Sequence, residues 1–281
     1  IASPKSRGLF KRGIIQSGAY NLFSWFPKNK ALELGERTQA VLNAPDFQSM
    51  KNLSAESLLA ASNSLRHPYR PNIDGELIPK NLTQLLDEGS FNNVDLMIGS
   101  NKNEDYMYVD ESVTESDINR LIENYYPEHQ EKLLSLLDLE DPRLAMDHLT
   151  TNQVTLCPSV FIARSLAKNG NNVYQYHFTR MREGSEKILS YHGAEIPYVF
   201  NTHDEWLPTN EDDTQLTEAM MEYWVEFATK GTPNSINNPT WKEFGVEENY
   251  LILDAELENS SKLENDFCEI MINELIERSS N

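Results

Sequence analysis

The sequence predicts an α/β fold with a mostly parallel sheet and large helical insertions. Four short runs are rich in β-branched and other apolar residues, and helical patterns separate them along the chain. More than 70 residues separate each run from the next. Such gaps far exceed ordinary loop lengths and therefore indicate helical excursions between the strands. With 281 residues, 39% of them hydrophobic, the chain can bury a sizeable core and fits a single domain.

In chain order the predicted strands span residues 12–17, 94–99, 172–178 and 250–253. The first two are short and largely apolar at their centres. This pattern is typical of strands that are covered on both faces of a parallel sheet. Long excursions between such strands often build a substrate-binding cap over their carboxyl ends.

Capping residues predict where several helices begin and end. Ser54 suits the position before a first helical residue, and Thr114 with Asp117 forms a capping-box pattern. Pro158 suits the first position of a further helix, which would end before Gly170.

The clearest helical pattern lies near the carboxyl terminus. Gly231 ends it, and Pro233 follows. Its apolar face repeats at i, i+3, i+4, i+7 and i+8, in Leu216, Ala219, Met220, Tyr223, Trp224 and Phe227. We interpret this stripe of Met and aromatic side chains as core rather than as a cofactor pocket.

The charge balance argues against two classes of partner. Lys and Arg number 24 and Asp and Glu number 44, which gives a net charge of −20 at pH 7. Nucleic acids and anionic membrane surfaces are bound through clustered Lys and Arg side chains, so neither is an expected partner. No apolar run approaches 18 residues, and the sequence therefore predicts no membrane span.

Signature motifs of several enzyme classes are absent from the 281 residues. The chain has no G-x-S-x-G turn of a serine hydrolase, no G-x-G-x-x-G dinucleotide motif, no G-K-[ST] phosphate loop and no H-E-x-x-H zinc motif. Cys157 and Cys268 belong to no C-x-x-C pair or Cys/His cluster, which argues against a metal site. No cofactor is expected. Spacing alone leaves open whether the two cysteines form one disulfide or remain as buried thiols.

Among the six histidines, His192 has the most suggestive context. Gly193 follows it directly, which lets the backbone turn tightly and leaves the imidazole accessible. His192 also follows the third predicted strand by a loop, where α/β enzymes place catalytic groups. A histidine that acts as a general base needs a carboxylate to orient it, and Glu104 lies just past the second predicted strand. From the residues alone, Glu104 is one of 44 acidic side chains, so the pairing is only a hypothesis.

Five segments together resemble the type-B carboxylesterases, the family that includes bacterial esterases and cholinesterases. They occur in the family's order and extend over most of the chain. The segments are residues 3–18, 71–75, 98–104, 192–200 and 223–234, which read SPKSRGLFKRGIIQSG, PNIDG, IGSNKNE, HGAEIPYVF and YWVEFATKGTPN. The resemblance implies an α/β-hydrolase fold and a small-molecule carboxylic ester as substrate.

The resemblance also implies catalytic roles. Glu104 matches the acid of the family's catalytic triad, and His192 matches its base. Ser17 matches a buried serine that belongs to the hydrogen-bond network of the triad. Cys157 and Cys268 match a disulfide that holds the last helix to the body of the fold.

Four further positions match surfaces that bind substrate in the family. Leu65 and His67 fall where the family lines its acyl pocket, and Met107 and Tyr108 would face the gorge. One position departs from the pattern, because Asp105 stands where the family usually has glycine after the triad acid. That substitution adds a negative charge beside the predicted site.

By the same resemblance, the nucleophilic serine, the glycine-rich oxyanion loop and the first strands of the sheet are expected to lie before Ile1. Residues 1–281 are therefore expected to be the C-terminal part of a single α/β-hydrolase domain, inactive alone and completed by the missing N-terminal segment. An incomplete record, a processed chain with a partner and a shortened protein all remain compatible with the sequence.

Two other functions are weighed against the esterase. The first is a non-catalytic, neuroligin-like relative that serves adhesion or partner binding, although such a protein has no catalytic need of Glu104 or His192. The second is a small free-standing domain, which would lack half of its sheet. If the implied disulfide forms, the protein is expected to be secreted or periplasmic.

Overall fold

The structure is a computed structural model that describes residues 1–19, 22, 25–66 and 69–280. Its strands are β1 (Arg12–Gln16), β2 (Phe26–Pro27), β3 (Asn72–Ile73), β4 (Asp95–Asn101), β5 (Val173–Phe178), β6 (Asn249–Leu253) and β7 (Glu258–Ser261). One sheet has the spatial order β1-β4-β5-β6-β7, and β2 pairs with β3 in a separate ribbon. Strands β1, β4, β5 and β6 run parallel, whereas β7 is antiparallel to β6. The predicted α/β fold with a mostly parallel sheet is confirmed.

The long segments between the strands of the main sheet contain most of the helices, as the sequence predicts. No helix in the described ranges is long and apolar enough to cross a membrane. The helices are α1 (Lys28–Val41), α2 (Phe47–Lys51), α3 (Ala55–Leu65), α4 (Leu82–Asp87), α5 (Glu115–Tyr125), α6 (Gln130–Ser135), α7 (Pro142–Thr151), α8 (Cys157–Lys168), α9 (Ile196–Phe200), α10 (Glu211–Lys230) and α11 (Asn265–Ser280).

The capping residues act as their positions predict. The Ser54 side chain accepts a hydrogen bond from the Ser57 N–H at the start of α3. Thr114 and Asp117 form a capping box at the start of α5. Gly231 ends α10 with a φ of +84°, a left-handed conformation that favours glycine.

Helix α8 begins differently from the prediction. It starts at Cys157, with Pro158 as its second residue, and the π-helical turn Asn152–Leu156 joins it directly to α7. A proline has no N–H to donate to the carbonyl four residues earlier, and here the irregular turn lies immediately before it. The chain therefore runs from α7 into α8 without a loop.

Two apolar cores lie on opposite faces of the sheet. One packs α8 and α11 against residues of β4 and β5 such as Leu96, Ile98 and Val173. The other packs α10 against the opposite face, where Tyr176 and Leu251 point. The apolar stripe of α10 is core, as predicted, and Met220, Tyr223 and Phe227 are completely buried within it.

Three short strands, β2, β3 and β7, have no pattern in the sequence that predicts them. The segment of β7 reads ENSS and has none of the β-branched aliphatic or aromatic residues that predict strands. It is ordered by its antiparallel ladder with β6, in which Asn249 lies beside Ser261. The two-residue strands β2 and β3 are too short to produce any pattern.

A disulfide joins Cys157 to Cys268, the pairing that the family resemblance implies. Cys157 is the first residue of α8, Cys268 lies in the first turn of α11, and both side chains are completely buried. The bond therefore ties the last helix to the helical layer that covers the central strands.

Removing this disulfide is expected to lower the free energy of unfolding by about 4–5 kcal/mol, because it closes a long loop and restricts the unfolded chain. The loop spans 111 positions. Urea denaturation of the Cys157→Ala/Cys268→Ala protein measures the change, and the reduced wild type serves as a control for the side-chain replacement. Equal midpoints for oxidised and reduced wild type would contradict the prediction.

Candidate active site

A buried carboxylate lies in the turn that follows β4. Glu104 is only 2% exposed, and its Oε1 accepts a hydrogen bond from the Asn101 N–H at 2.6 Å. The same oxygen accepts a second hydrogen bond from Ser17 Oγ at 2.5 Å. These two donors offset part of the cost of removing a charged carboxylate from water. They also fix the plane of the carboxylate and leave Oε2 for another partner.

The imidazole of His192 forms a hydrogen bond with that second oxygen. Its Nδ1 lies 2.6 Å from Glu104 Oε2, although the two residues are 88 positions apart in sequence. A carboxylate oxygen can only accept, so Nδ1 carries the hydrogen and Nε2 of the neutral ring is the proton acceptor. The His192 side chain is 49% exposed, which leaves one side of the ring open to a reactant.

The pKa of His192 is raised above its ordinary value. The largest cause is the hydrogen bond to Glu104, and the nearby charges of Glu195 and Asp105 act in the same direction. Partial burial opposes the shift. The site is therefore arranged to stabilise a proton on this ring once the ring has accepted it.

The loop after β5 holds His192 against the turn after β4. Gly193 has a φ of +97°, the left-handed conformation that the position of this glycine predicts. The Asn103 N–H donates to the Ser190 carbonyl at 3.2 Å and links the two segments beside the imidazole. Ser190 in turn donates through Oγ to the Thr179 carbonyl at 2.7 Å.

Ser17 follows β1 directly and adopts an unusual backbone conformation. Its φ is +51°, and its N–H donates to the Gly99 carbonyl on β4 at 2.9 Å. A left-handed conformation costs a non-glycine residue on the order of 1 kcal/mol. The hydrogen bond of Oγ to Glu104 compensates for that cost. The structure thus brings together Ser17, Glu104 and His192, the three residues to which the resemblance gives catalytic or network roles.

A second buried carboxylate, which no sequence motif predicts, lies close to Glu104 and His192. Glu195 is 2% exposed and accepts hydrogen bonds from Gln16 Nε2 at 3.1 Å and from Asn101 Nδ2 at 2.7 Å. Gln16 is itself held by Trp224 Nε1 of α10 at 3.1 Å. Burial is the main cause that raises the pKa of Glu195. Its position three residues after His192 could have indicated this role.

A third carboxylate, also missed, anchors the turn that carries Glu104. Asp147 of α7 is completely buried. It accepts hydrogen bonds from Asn103 Nδ2 at 2.8 Å and from the Asp105 N–H at 3.0 Å. Thr151 Oγ1 donates to it at 3.1 Å. Asp147 therefore fixes the residues on both sides of Glu104, and no sequence motif distinguishes it from other acidic residues.

Asp105, the departure from the family pattern, is half-buried beside the site. Burial is the largest cause that raises its pKa, and the neighbouring Glu104 charge adds to the shift, whereas the charge of His192 opposes it. The substitution thus adds a third carboxyl group, after Glu104 and Glu195, to those whose charges act on His192.

The three predicted substrate-binding residues that the structure describes do not form one cluster as Ser17, Glu104 and His192 do. Leu65 is the half-buried last residue of α3, and His67 lies outside the described residues. Met107 and Tyr108 follow the Glu104 turn and are 38% and 71% exposed. Tyr108 lines a surface cavity of about 490 Å³ together with Asp105. Their role in binding substrate stays a prediction.

The arrangement is suited to proton transfer at His192 Nε2. The acceptor is oriented by a buried carboxylate, and its protonated form is stabilised by the same group. Within residues 1–19, 22, 25–66 and 69–280, no three His, Cys, Asp or Glu side chains are grouped so that they could hold a metal ion.

A family model described as the carboxylesterase family matches residues 1–271. The chain belongs to the carboxylesterase family. It is 26% identical to carboxylesterase 1E of Mus musculus over 94% of this chain and 55% of that protein. It is 29% identical to neuroligin-3 of Mus musculus over 83% of this chain and 33% of that protein.

Solved structures show the same fold for this carboxylesterase-family chain. A PNB esterase matches with a TM-score of 0.79 and 22% identity, covering 96% of this chain and 59% of that protein. A carboxylesterase of Geobacillus stearothermophilus matches with a TM-score of 0.81 and 21% identity, covering 96% and 60%. The chain thus spans somewhat more than half the length of these carboxylesterases and esterases.

The position of Asp147 predicts that it controls the interaction between Glu104 and His192. Replacing it with leucine removes the acceptor for the Asn103 amide and the Asp105 N–H, so the Glu104 turn should loosen. The pKa of His192 is then expected to fall towards its ordinary value. NMR titration of the labelled histidine ring measures this change.

Thr151→Val is the matched control, because it removes a hydrogen bond to Asp147 without touching the Glu104 turn. An unpaired buried donor costs about 1–3 kcal/mol, so Asp147→Leu should unfold more easily than the wild type. Only Asp147→Leu should move the His192 titration. An unchanged His192 pKa in folded Asp147→Leu would contradict the prediction.

Proposed function

We propose that this chain supplies the general base and its orienting carboxylate to a serine esterase that hydrolyses small carboxylic esters. The observation that supports this proposal most directly is the hydrogen bond between His192 Nδ1 and Glu104 Oε2. It leaves Nε2 as the proton acceptor of an oriented and accessible imidazole. Membership of the carboxylesterase family supports the same reaction class.

In the proposed reaction, a serine outside these 281 residues attacks the ester carbonyl. His192 Nε2 takes the hydroxyl proton as the new C–O bond forms, and it then gives that proton to the departing alcohol oxygen. Water attacks the acyl-enzyme in the second half of the reaction, again through His192. Glu104 keeps the ring in one tautomer and stabilises the imidazolium that forms in each half.

Ser17 is hydrogen-bonded to Glu104, but its geometry does not suit a nucleophile. Its Oγ donates to Glu104 Oε1, whereas His192 is bonded to Oε2. Ser17 is also only 3% exposed, so an ester cannot reach it. The absence of G-x-S-x-G and the partial coverage of the relatives agree with a nucleophile and oxyanion loop supplied by another segment.

The second candidate function is non-catalytic binding, which the similarity to neuroligin-3 favours. A binding protein does not require an imidazole that is oriented by a buried carboxylate. The Glu104–His192 hydrogen bond therefore favours the hydrolase over the binding relative. The disulfide between Cys157 and Cys268 supports a location outside the reducing cytoplasm, either secreted or periplasmic.

His192→Ala is expected to lower kcat by several orders of magnitude, because the serine then has no general base. The assay uses the full chain together with any segment encoded before Ile1, with a p-nitrophenyl ester as substrate. His129→Ala is the matched control, since that partly exposed histidine lies 4.0 Å from Glu274 on α11 and makes no contact with Glu104 or His192. Near-normal turnover by His192→Ala would refute the assignment.

The pH dependence of kcat/KM should follow the loss of a proton from His192. Activity requires the neutral ring, so it should rise with pH as His192 loses its proton. Because Glu104 raises the pKa of His192, this rise should occur above the pH expected for an ordinary histidine. Glu104→Gln should move the rise to lower pH and also reduce kcat. A midpoint that Glu104→Gln leaves unchanged would argue against their coupling.

The position of the nucleophile can be tested with a fluorophosphonate that labels activated serines. The 281-residue chain alone should not be labelled, whereas the protein that includes the upstream segment should be labelled within that segment. Peptide mass spectrometry locates the modified residue. Labelling of Ser17 in the chain alone would overturn the proposal that the nucleophile lies elsewhere.

A further inference from the structure

A cavity of about 200 Å³ lies behind the turn that carries Glu104. It is bounded by the ends of β4 and β5, by α7 and the π-helical turn, and by the residue before α11. Its apolar lining comes from Leu144, Ala145 and Leu156. The cavity is separate from the exposed side of His192, and the proposed hydrolase mechanism does not use it.

One wall of this cavity holds a buried imidazole without its full complement of hydrogen bonds. His177 of β5 lines the cavity and is only 8% exposed. Its Nδ1 has no hydrogen-bond partner in the described part of the chain and is enclosed by protein, so a ligand in the cavity that hydrogen-bonds this ring would do so through Nε2. Burial lowers the pKa of His177 to about 4, so the ring is neutral near pH 7 and offers one donor and one acceptor. An unsatisfied buried polar group of this kind is rare and costly.

Most charged groups around the cavity already have a partner of opposite charge or a hydrogen-bond donor. His148 Nε2 lies 3.2 Å from Glu264 Oε2. Asp147 is occupied by its three donors. Lys102 and Asp138, which are exposed and opposite in charge, also line it. An ionic ligand would therefore add a charge with no dedicated partner, whereas a neutral ligand would not.

The volume sets the size of the ligand. A water molecule occupies about 30 Å³ of liquid, and an apolar cavity of about 150 Å³ can hold benzene. The present cavity is larger than that and carries a hydrogen-bonding group. It accordingly fits a ligand of roughly seven to ten non-hydrogen atoms.

We propose that this cavity binds a small neutral hydroxyl compound, a phenol or an alcohol, whose hydroxyl group hydrogen-bonds His177 while its apolar body contacts Leu144, Ala145 and Leu156. A hydroxyl both donates and accepts, so it complements a neutral imidazole. Asn103 and Asp147 also line the cavity, and both hold the Glu104 turn. Binding is therefore coupled to the environment of His192.

Phenol and toluene provide a matched pair of probes, since they have the same number of non-hydrogen atoms and differ in the hydroxyl group. The experiment is a methyl NMR titration of the full chain, produced with any segment encoded before Ile1. Phenol should shift the methyl signals of Leu144, Ala145 and Leu156 with a dissociation constant of about 1 mM or below. Toluene should bind at least about tenfold more weakly. Methyl signals of Ile78, which lines a different groove, serve as the control.

His177→Phe tests the hydrogen bond directly, because it keeps an aromatic ring and removes the nitrogens. Phenol affinity should fall at least about tenfold, to the level of toluene, while toluene affinity stays the same. If this variant does not fold, the comparison of phenol and toluene on the wild type decides the question. The absence of saturable shifts at the three methyls, or equal binding of both probes, would overturn the proposal.

Two further measurements test the class of ligand and the coupling. Benzoate and benzylammonium should bind more weakly than phenol, and tighter binding of either ion would overturn the preference for a neutral ligand. The ring signals of His192 should move at the same phenol concentration as the cavity methyls. Unmoved His192 signals at saturation would overturn the coupling to the Glu104 turn.

Discussion

The burial of one carboxylate organises the functional end of this molecule. Glu104 is almost inaccessible to water, and a charge in that position is tolerated only when its oxygens are hydrogen-bonded. Its three partners come from three separate parts of the chain: Ser17 after β1, Asn101 at the end of β4, and His192 after β5. The hydrogen bonds of this carboxylate therefore form only when the carboxyl ends of three parallel strands lie side by side.

The parallel sheet makes that convergence possible. Strands β1, β4 and β5 are adjacent and run in the same direction, so segments nearly 90 positions apart in sequence arrive at one edge. A layer of polar side chains then keeps the edge rigid. Glu195 accepts hydrogen bonds from Gln16 of β1 and from Asn101 of β4, and Trp224 of α10 donates a hydrogen bond to Gln16. Asp147 fixes the turn from the helical side.

The strands and caps could be predicted because their causes are local. Apolar runs, the capping box at Thr114 and the glycine after His192 each act within a few residues. Their positions after predicted strands make Glu104 and His192 candidates, but only the family resemblance predicts that they pair, since nothing local joins residues 88 positions apart. Asp147 could not be found, because its importance arises only from tertiary packing. The same holds for β7, a polar segment that is ordered by its neighbour.

The position of β1 relates the fold to the proposal that the nucleophile lies outside these 281 residues. This strand lies at one end of the sheet and pairs along one side with β4, and its residues are all half-buried. An edge strand of this kind is a template for a further strand. Ser17 follows β1 in a strained conformation, and Gln16 belongs to the polar layer under His192. A strand that pairs along the other side of β1 would therefore restrain Ser17, which donates to Glu104, and Gln16, which donates to Glu195.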